Sequence, residues 1–541
     1  MSDVRPAPAP LLSAAFARGS DPDAVDVLVV GGGINGAGIA RDLAGRGLSV
    51  LLVEKDDLAQ HTSSSSTKLI HGGLRYLEYY EFSLVRKALA EREVLLRAAP
   101  HIMWPLRFAM PHDPAMRPVW MIRAGLFLYD HLAKRELLPG SRTVTLQGHP
   151  LGVPLKAEFK QAFVYSDGWV DDARLVLLNA LDAQARGAQV LTRTACSRAR
   201  RGPDGWTATL TSALGTTREV QARALVNAAG PWASQFLKEH AGQPDTKGLR
   251  LVKGSHIVVK KMFEHDHAYI FQNPDKRIIF AIPYEGDFTL IGTTDVEHHG
   301  AIGAAKIDAE EIAYLCQQAS RYFKQAVTPA DVVWNYSGVR PLLDDESGDA
   351  SAVTRDYLLE LDDRSGAPLL NIWGGKITTF RKLAEEAAAI LAPVLGARLQ
   401  PWTEGVPLPG GNLADRVACS GNPQQDIAAY DAALARERPD LNPAMRQRWV
   451  RLYGSRVGLL LQAASLGSEV APGLYEAELD YLHQHEWALS ADDVLWRRTK
   501  LGLHFTPAQR ATVDQWWRAR YPAPPTPAPT SAGATTETSC N

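Results

Sequence analysis

The sequence has few of the features that mark disulfide scaffolds, thiol redox centres or membrane spans. Its four cysteines, Cys196, Cys316, Cys419 and Cys540, are scattered without a C-x-x-C pair, which argues against a disulfide framework and a thiol redox pair. No apolar run approaches the roughly 18 residues that a spanning helix needs, and the start lacks the apolar core of a signal peptide. We therefore expect a protein of a reducing compartment whose membrane contact, if any, is peripheral.

The sequence also lacks a strong charge of either sign. Of its 541 residues 45% are hydrophobic and 22% are charged, and the formal net charge is -2. This composition is typical of a globular chain with two or three domains. It gives no global basic surface for a nucleic acid, so an anionic ligand has to be bound by local charges.

The pattern of apolar residues predicts a βαβ unit near the start of the chain. Asp26–Val30 is a predicted buried strand, Asn35–Leu43 a helix entered through glycines, and Ser49–Val53 a second strand. Further helices are predicted at Phe82–Leu96 and Ala173–Leu181, and further strands at Gln189–Thr192, Trp206–Leu210, Glu219–Val226, Arg277–Ile282 and Phe288–Ile291. After Leu395 the strand signals stop, which predicts a mainly helical domain, with a capping box at Ser490 and Asp493.

The turn between the first strand and helix carries a chemical signal. Gly31, Gly33 and Gly36 satisfy G-x-G-x-x-G in the strand–turn–helix context that gives this motif meaning. We expect them to allow, in order, a tight turn, the approach of a pyrophosphate to backbone N–H groups, and close helix packing. Glu54 ends the second strand, where its carboxylate can accept hydrogen bonds from a ribose diol, so NADP is the poorest candidate. The spacing alone does not separate FAD from NAD.

Three further observations favour a flavin. Residues 62–76 are rich in small hydroxyl residues and glycines, which let a chain pass close over a flat ring, although a solvated serine loop has the same composition. Residues 224–232 form a strand-like segment that ends in glycine, as though it closes beside the same dinucleotide. The sequence has no second strand–GxGxxG–helix unit for a nicotinamide cofactor.

These motifs resemble one family, the aerobic, FAD-dependent, quinone-linked glycerol-3-phosphate dehydrogenases of bacteria. The resemblance runs from about Val25 to about Trp517, and its specific strings include GGGINGAGIARDLAGRGLSVLLVE, SSTKLIHGGLRYLE, YSDGWVDDARLVL, LVNAAGPWA, KGSHIVV, IGTTDVE, YSGVRPL, TRDY, GGKITTFRKLAE and DDVLWRRTK. It implies FAD as cofactor, glycerol 3-phosphate as substrate and ubiquinone or menaquinone as electron acceptor, with no metal. A homodimer is suspected on the same ground.

The resemblance also implies the domain organisation of an α/β protein. A discontinuous Rossmann-like FAD-binding domain of the glycine oxidase and D-amino-acid oxidase type carries an inserted antiparallel-sheet substrate domain, and an all-helical C-terminal domain follows. The predicted boundaries are 24–100, 160–250 and 335–396 for the FAD domain, 101–159 and 251–334 for the substrate domain, and 397–520 for the helical domain. Residues 1–23 and 521–541 are predicted to be disordered. The predicted cofactor-binding residues are Gly31, Gly33, Asn35, Gly36, Glu54, Ser64, Ser65, Thr67, Lys68, Leu69, His71, Gly72, Gly73, Ala229, Gly230, Trp232, Gly375, Lys376 and Thr378.

A buried phosphate dianion requires cations, preferably guanidinium groups that bind two oxygens at once. Arg75, Arg340 and Arg355 are the candidates, because they match the substrate-site motifs of the family; the alternative for each is a structural salt bridge or a surface charge. Lys376 precedes an N-cap-like Thr378 and would add a cation where, in the related fold, a helix N-terminus points at the flavin. An exposed lysine is the alternative there.

Oxidation of the C2 alcohol requires a proton acceptor as well as a hydride acceptor. His256 and His71 are the candidates, because imidazole titrates near working pH, and a core histidine is the alternative for both. Tyr76 either orients the hydroxyl group or packs its ring. The predicted catalytic residues are thus His256, Arg340, Lys376, Arg75 and Tyr76. The predicted substrate-binding residues are the same five and Arg355.

The electron acceptor must be external, because the sequence shows no haem, cluster or thiol-pair motif. The segment Trp120–Arg135 mixes apolar residues with Arg123, Lys134 and Arg135, and is the candidate for docking on an anionic membrane at the cytoplasmic face of the inner membrane. An amphipathic core helix is the alternative. Three other functions stay open: an oxidase that uses O₂ and releases peroxide, an amine or amino-acid oxidase, and a flavin scaffold without turnover.

Overall fold

A computed structural model describes residues 24–113, 117–243, 247–275, 277–343, 356–396 and 400–522. Its strands are β1 Ala24–Val30, β2 Val50–Val53, β3 Leu69–Ile70, β4 Met103–Pro111, β5 Arg142–Thr145, β6 Gln161–Val170, β7 Gln189–Leu191, β8 Thr194–Arg201, β9 Trp206–Ser212, β10 Thr217–Asn227, β11 Leu249–Lys260, β12 Ala268–Gln272, β13 Ile278–Tyr284, β14 Phe288–Gly292, β15 Val296–Glu297, β16 Val332–Leu343, β17 Leu358–Asp362, β18 Leu369–Trp373, β19 Glu469–Ala471 and β20 Leu474–Tyr475. Its α-helices are α1 Ile34–Gly45, α2 Phe82–Ala98, α3 Val119–His131, α4 Asp172–Ala185, α5 Ala233–Glu239, α6 Ala309–Tyr322, α7 Phe380–Val394, α8 Pro423–Glu437, α9 Pro443–Tyr453, α10 Val457–Leu460, α11 Glu476–Glu486 and α12 Pro507–Arg520. Residues 1–23, 355 and 523–541, which carry predictions made above, lie outside the described residues.

The first sheet has a parallel core, β18-β10-β1-β2-β7, and its antiparallel strands lie on the side of β10 that faces away from β1. Its strand order is β17-β18-β10-β1-β2-β7, and β9 and β8 continue antiparallel from β10. The buried faces of α1, α4 and α7 form one apolar cluster with β1 and β2. Because β1, β2 and β10 are parallel, their carboxyl ends meet at one edge of the sheet, which is where open α/β sheets bind ligands.

The second sheet is mainly antiparallel, in the order β15-β11-β14-β13-β12-β4-β6-β3, with β16 paired to β11 and β5 to β6. The pairing of β12 with β4 is parallel. Helix α6 packs on one face of the sheet, while α2 and α3 contribute to the cluster on the other face. The long β11–β16 ladder carries two of the predicted catalytic residues.

The C-terminal region has its own core, built mainly from α8 to α12. The predicted capping box is present: Ser490 N donates to Asp493 Oδ2 at 3.1 Å, and Asp493 N donates to Ser490 Oγ at 3.2 Å. The expectation that no strand follows Leu395 is wrong, since β19 and β20 form a small hairpin. Strands of two or three residues are too short to show the alternation on which a sequence prediction depends.

The predicted α/β fold with a Rossmann-like domain, an inserted sheet and a helical C-terminal region is confirmed. The domain boundaries stay a prediction, and β3, β6 and most of β16, which belong to the second sheet, lie in ranges predicted for the FAD domain. Strand β6 runs directly into α4, which packs on the first sheet. The chain therefore changes sheets within a single turn, and the sequence pattern does not mark that change.

Candidate active site

The glycine-rich turn after β1 has the geometry that its sequence predicts. Gly31 has a φ of +111°, and a Cβ there would lie 2.4 Å from the carbonyl oxygen of Ala228 at the end of β10. A Cβ at Gly36 would lie 1.9 Å from the carbonyl oxygen of Gly31. The turn thus packs against β10 and against the first turn of α1 at distances that only glycine permits.

Glu54 closes this turn from the end of β2. Its Oε2 accepts a hydrogen bond from Gly32 N at 2.7 Å, and its Oε1 accepts one from Asp56 N at 2.9 Å. Burial raises the pKa of the carboxyl group above its usual value, although the two backbone N–H groups oppose that shift. Each oxygen keeps a second lone pair, so the carboxylate can also accept from a ligand hydroxyl.

A cavity of about 300 Å³ opens at this edge of the sheet. Eight of the predicted cofactor-binding residues line it: Gly31, Gly33, Asn35, Glu54, Ala229, Gly230, Trp232 and Gly375. At the end opposite Glu54, Asn35 Nδ2 donates to the carbonyl oxygen of Gly374 at 3.1 Å. Its Oδ1 is buried without a hydrogen-bond partner among the described residues. The cavity therefore has polar groups both at Glu54 and at Asn35, which can hydrogen-bond separate parts of a dinucleotide.

Sequence reasoning missed part of the wall at the Glu54 end. Lys55 Nζ lies 3.7 Å above the ring of Trp232, and the rings of His61 and Trp232 meet edge to face at 4.6 Å. The start of β8, Thr194–Cys196, lines the same end. None of these residues belongs to a phosphate-binding motif, and a basic residue directly after Glu54 was the one available signal.

The serine-rich loop after β2 is held from behind by a buried ion pair. Lys68 Nζ lies 2.7 Å from Asp172 Oδ1 and donates to the carbonyl oxygen of Ser64 at 3.1 Å, and both charged side chains are almost fully buried. Ser66 Oγ donates to the same carboxylate at 2.7 Å. Lys68 thus fixes the loop that carries Ser64, Ser65 and Thr67, and a direct contact of its ammonium with a cofactor stays a prediction.

The glycine pair that follows β3 lies under aromatic side chains. Gly72 N donates to the hydroxyl of Tyr129 at 2.9 Å, and Gly73, with a φ of +76°, lies against the ring of Tyr76. His71 N donates to Thr378 Oγ1 at 3.3 Å, which joins this loop to the turn that precedes α7. Leu69 is buried in β3.

His256 lies on β11 beside the same loop and is almost fully buried. Its Nε2 is 3.0 Å from Thr67 Oγ1, and its ring stacks on that of Tyr336 with 4.8 Å between the centroids. Burial, then the positive charges of Arg340 and Lys68, lower the pKa of His256 well below its usual value. The imidazole is therefore neutral near pH 7, and its buried Nδ1 has no partner among the described residues.

Arg340 lies on the same face of the second sheet as His256. In the β11–β16 register His256 pairs with Tyr336, Gly254 with Gly338 and Val252 with Arg340, so these even-numbered side chains share one face. The guanidinium forms an ion pair with Asp295, and its Nη2 donates to Thr293 Oγ1 at 3.1 Å. A Cβ at Gly254 would lie 2.5 Å from this Nη2. Asp295, Thr293 and Gly254 occur in strings quoted for the resemblance, but no role was predicted for them.

The remaining candidates lie at the Gly375 end of the cofactor site or away from it. Lys376 Nζ lies 3.8 Å above the ring of Tyr76, and Lys376 precedes the short helix Ile377–Thr379 that leads into α7. Arg75 Nη2 donates to the hydroxyl of Tyr79 at 3.3 Å in an exposed position. The described contacts do not bring Arg75 together with Arg340 or His256. Arg355 lies outside the described residues.

The fold and the site together define a dinucleotide-binding flavoprotein: a glycine turn, an acid at the end of β2 and a cavity that reaches Gly375 beside the second sheet. Residues 26–381 match the family described as FAD dependent oxidoreductase, and residues 401–516 match the C-terminal domain of alpha-glycerophosphate oxidase. The chain therefore belongs to the FAD-dependent oxidoreductase family, and the predicted FAD cofactor is confirmed.

Relatives that cover nearly the whole chain are similar to it. A glycerol-3-phosphate dehydrogenase of Pseudomonas aeruginosa is 53% identical over 92% of this chain and 96% of its own, and a D-erythritol 1-phosphate dehydrogenase of Brucella abortus is 50% identical over 92% and 98%. The crystal structure of the glycerol-3-phosphate dehydrogenase from Bacillus halodurans complexed with FAD is 27% identical, covers 95% of this chain and 94% of its own, and has a TM-score of 0.75. The resemblance to glycerol-3-phosphate dehydrogenases is confirmed.

Proposed function

We propose that the protein oxidises sn-glycerol 3-phosphate to dihydroxyacetone phosphate and passes the electrons to a membrane quinone. The observation that carries the proposal is the shared sheet face of His256 and Arg340. It sets a neutral imidazole and a guanidinium beside the loop that contains Thr67, within one site. A proton acceptor and an anion-binding group on one rigid surface are what the oxidation of a phosphorylated alcohol needs.

We assign phosphate binding to Arg340. Its contacts with Asp295 and Thr293 fix the plane of the guanidinium and leave other N–H donors for phosphate oxygens. Arg75 and Arg355 remain proposed additional cations for the same group. The half-buried Arg340 keeps a partner in the free protein, so the charge is paired before the substrate arrives.

We assign the proton transfer to His256. The neutral imidazole can accept the proton of the C2 hydroxyl group, and its contact with the Thr67 hydroxyl holds the ring in place. FAD, when bound, supplies the acceptor for the hydride from C2, so that loss of one proton and one hydride leaves the ketone. Lys376 and the start of the helix that it precedes place positive charge at the Gly375 end of the site. Tyr76 supports the Lys376 ammonium with its ring face.

The test is anaerobic bleaching of the flavin absorbance by sn-glycerol 3-phosphate. We expect bleaching by this compound and none by glycerol, which lacks the phosphate, or by glycine, a substrate of an amino-acid oxidase. A flavin that stays oxidised with every compound would support a scaffold without turnover. Equal bleaching by glycerol would contradict the role of Arg340.

A four-carbon polyol phosphate is the second candidate substrate, because the D-erythritol 1-phosphate dehydrogenase matches this chain almost as well as the glycerol-3-phosphate dehydrogenase does. Both substrates use the same phosphate and alcohol chemistry. Comparing kcat/KM for the two compounds decides between them, and a higher value for D-erythritol 1-phosphate would change the proposed substrate without changing the proposed residue roles.

The protein is proposed to meet the membrane that contains the quinone through an aromatic surface, formed by α3 and the neighbouring segment 79–82. Exposed apolar side chains on this surface are Tyr79, Tyr80, Phe82, Trp120, Met121, Phe127 and Leu128, whereas Leu126 and Tyr129 are the buried residues of α3. An amphipathic core helix would bury these large residues, so their exposure supports peripheral docking on a membrane. The cytoplasmic face of the inner membrane is the proposed location. Among the described residues, no helix is both long and apolar enough to span a bilayer. A homodimer stays a prediction.

An O₂-using oxidase is the alternative at the acceptor side, favoured by the match of residues 401–516 to a domain of alpha-glycerophosphate oxidase. Quinone reduction measured under nitrogen and peroxide yield measured in air separate the two activities. We expect quinone reduction with little peroxide, and peroxide formed in proportion to substrate consumed would favour the oxidase.

A further inference from the structure

Both walls at the Glu54 end of the cofactor cavity are connected to one helical segment of the C-terminal region. The first wall is the loop 54–63, in which residues 54, 55 and 59–63 line the cavity. The second wall is the start of β8 at Thr194–Cys196. The helical segment is Asp493–Arg498, which has π-helical hydrogen bonding. Helical segments of this kind occur often at functional sites.

Asp57 connects the first wall. Its carboxylate accepts Arg497 Nε at 2.6 Å and a bidentate pair from Arg498, with Nη1 at 2.7 Å and Nη2 at 2.9 Å. Within the loop, Gln60 N donates to the carbonyl oxygen of Asp57 at 3.1 Å, and Asp57 N donates to Gln60 Oε1 at 3.1 Å. The carboxylate held by the two arginines thus fixes the turn that carries Gln60, a residue of the cavity wall.

Arg193 connects the second wall and joins it to the first. Its Nη2 donates to Asp493 Oδ1 at 2.8 Å, and its Nη1 donates to Gln60 Oε1 at 2.8 Å. Its backbone N donates to the carbonyl oxygen of Asp56 at 2.9 Å, and the next residue, Thr194, lines the cavity. Arg193 therefore joins both walls to the carboxylate of Asp493 in the C-terminal region.

These ion pairs are buried, and water cannot replace either partner of a pair. The side chains of Asp57, Asp493 and Arg498 are 1%, 0% and 2% exposed. Burial alone would raise the pKa of Asp57, but Arg498 and Arg497 outweigh it and hold that pKa below its usual value. A bidentate guanidinium–carboxylate pair in such surroundings fixes the relative orientation of the two groups.

We propose that the C-terminal region sets how tightly the chain holds FAD, because Asp57, Arg193 and Arg498 fix both cavity walls at the Glu54 end. These three are positioning residues that act through Gln60 and Thr194 and do not touch the substrate. The proposal goes beyond the substrate chemistry, since it concerns retention of FAD in the absence of any substrate.

The test is the rate of FAD release from the diluted holoenzyme, followed by the rise in flavin fluorescence without substrate. Arg193→Gln and Asp57→Asn should each speed the release about tenfold or more, because each removes hydrogen bonds between charged groups that hold a wall. The side chain of Arg193 is 21% exposed and thus less buried than that of Asp57, so Arg193→Gln keeps the test available if Asp57→Asn fails to fold.

The matched control is Arg448→Gln. Arg448 on α9 forms an ion pair with Glu478 of α11 and donates to the carbonyl oxygen of Gly473 at 2.8 Å, but it does not line the cavity. The two side chains are 18% and 0% exposed, close to the 21% and 0% of Arg193 and Asp493. We expect its release rate to stay near that of the wild type. If Arg448→Gln releases FAD as fast as Arg193→Gln, general weakening of the C-terminal region explains the effect and the proposal fails. Wild-type release from Arg193→Gln would overturn it as well.

Discussion

Gly292 lies directly against the imidazole of His256. The two residues are paired in the β11–β14 register, and a Cβ at position 292 would lie 2.2 Å from His256 Cδ2. The opposite face of the ring stacks on Tyr336, and its Nε2 contacts Thr67. The imidazole therefore occupies a slot with one orientation, and glycine at position 292 is what leaves room for it.

Gly292→Ala should displace the imidazole from Thr67 while FAD stays bound. We expect kcat/KM for sn-glycerol 3-phosphate to fall at least about tenfold, because small displacements of a proton acceptor cost much of its effect. The measurement is steady-state kinetics with a quinone analogue, with flavin content as a second readout. Gly458→Ala is the control, since a Cβ there meets nothing within 4 Å. Wild-type kinetics in Gly292→Ala would contradict the role of His256.

The sequence predicted those parts of the site that depend on local chain geometry. The turn at Gly31, the acid at Glu54 and the helix start after Lys376 are each set by a few neighbouring residues, so a motif suffices to find them. The partners of Arg340 are different, because Asp295 lies 45 residues away in the chain and reaches it through the pairing of β11 with both β15 and β16. A pairing of this kind is decided by the whole sheet, and no local pattern encodes it.

Arg340→Lys should weaken phosphate recognition more than it disturbs the fold. A lysine has one nitrogen in place of the planar fork that contacts Asp295 through Nη1 and Thr293 through Nη2, so fewer donors are left for the phosphate oxygens. We expect a fall of about 10- to 100-fold in kcat/KM for sn-glycerol 3-phosphate, mainly through KM, as the loss of a charged hydrogen bond implies. Arg200→Lys, which alters a surface pair with Glu219, is the control. An unchanged KM in Arg340→Lys would assign the phosphate to another cation.

The double variant Trp120→Ser/Phe127→Ser should weaken docking on vesicles that contain anionic phosphatidylglycerol. Both side chains are more than half exposed on α3, at 68% and 64%. We expect the partition constant obtained from co-sedimentation to fall about tenfold, since two aromatic side chains no longer enter the membrane interface. The control is Val153→Ser/Leu214→Ser, which removes two exposed apolar residues elsewhere.

Salt should change this docking only weakly. Lys134 pairs with Glu136, and Arg135 pairs with Asp130, so much of the positive charge near the aromatic surface is already neutralised. Binding that is abolished by moderate salt, or that survives in the Trp120→Ser/Phe127→Ser variant, would contradict docking through the aromatic surface.

His101 should make the protein less stable in acid. Its side chain is fully buried, and burial, followed by the charges of Arg174, Arg451 and Arg456, lowers its pKa to about 3. In the unfolded chain a histidine has a pKa of about 6.5, so between about pH 6.5 and about pH 3 the unfolded state binds a proton that the folded state does not. The stability from the neutral folded form is complete above about pH 6.5 and is lost as the pH falls through this window.

His101→Phe should reduce the slope of unfolding free energy against pH in this window by up to about 1.4 kcal/mol per pH unit. Urea denaturation at several pH values measures the slope, the exposed His299→Phe controls for loss of any histidine, and a slope as steep as that of the wild type in His101→Phe would show that other groups cause the acid sensitivity.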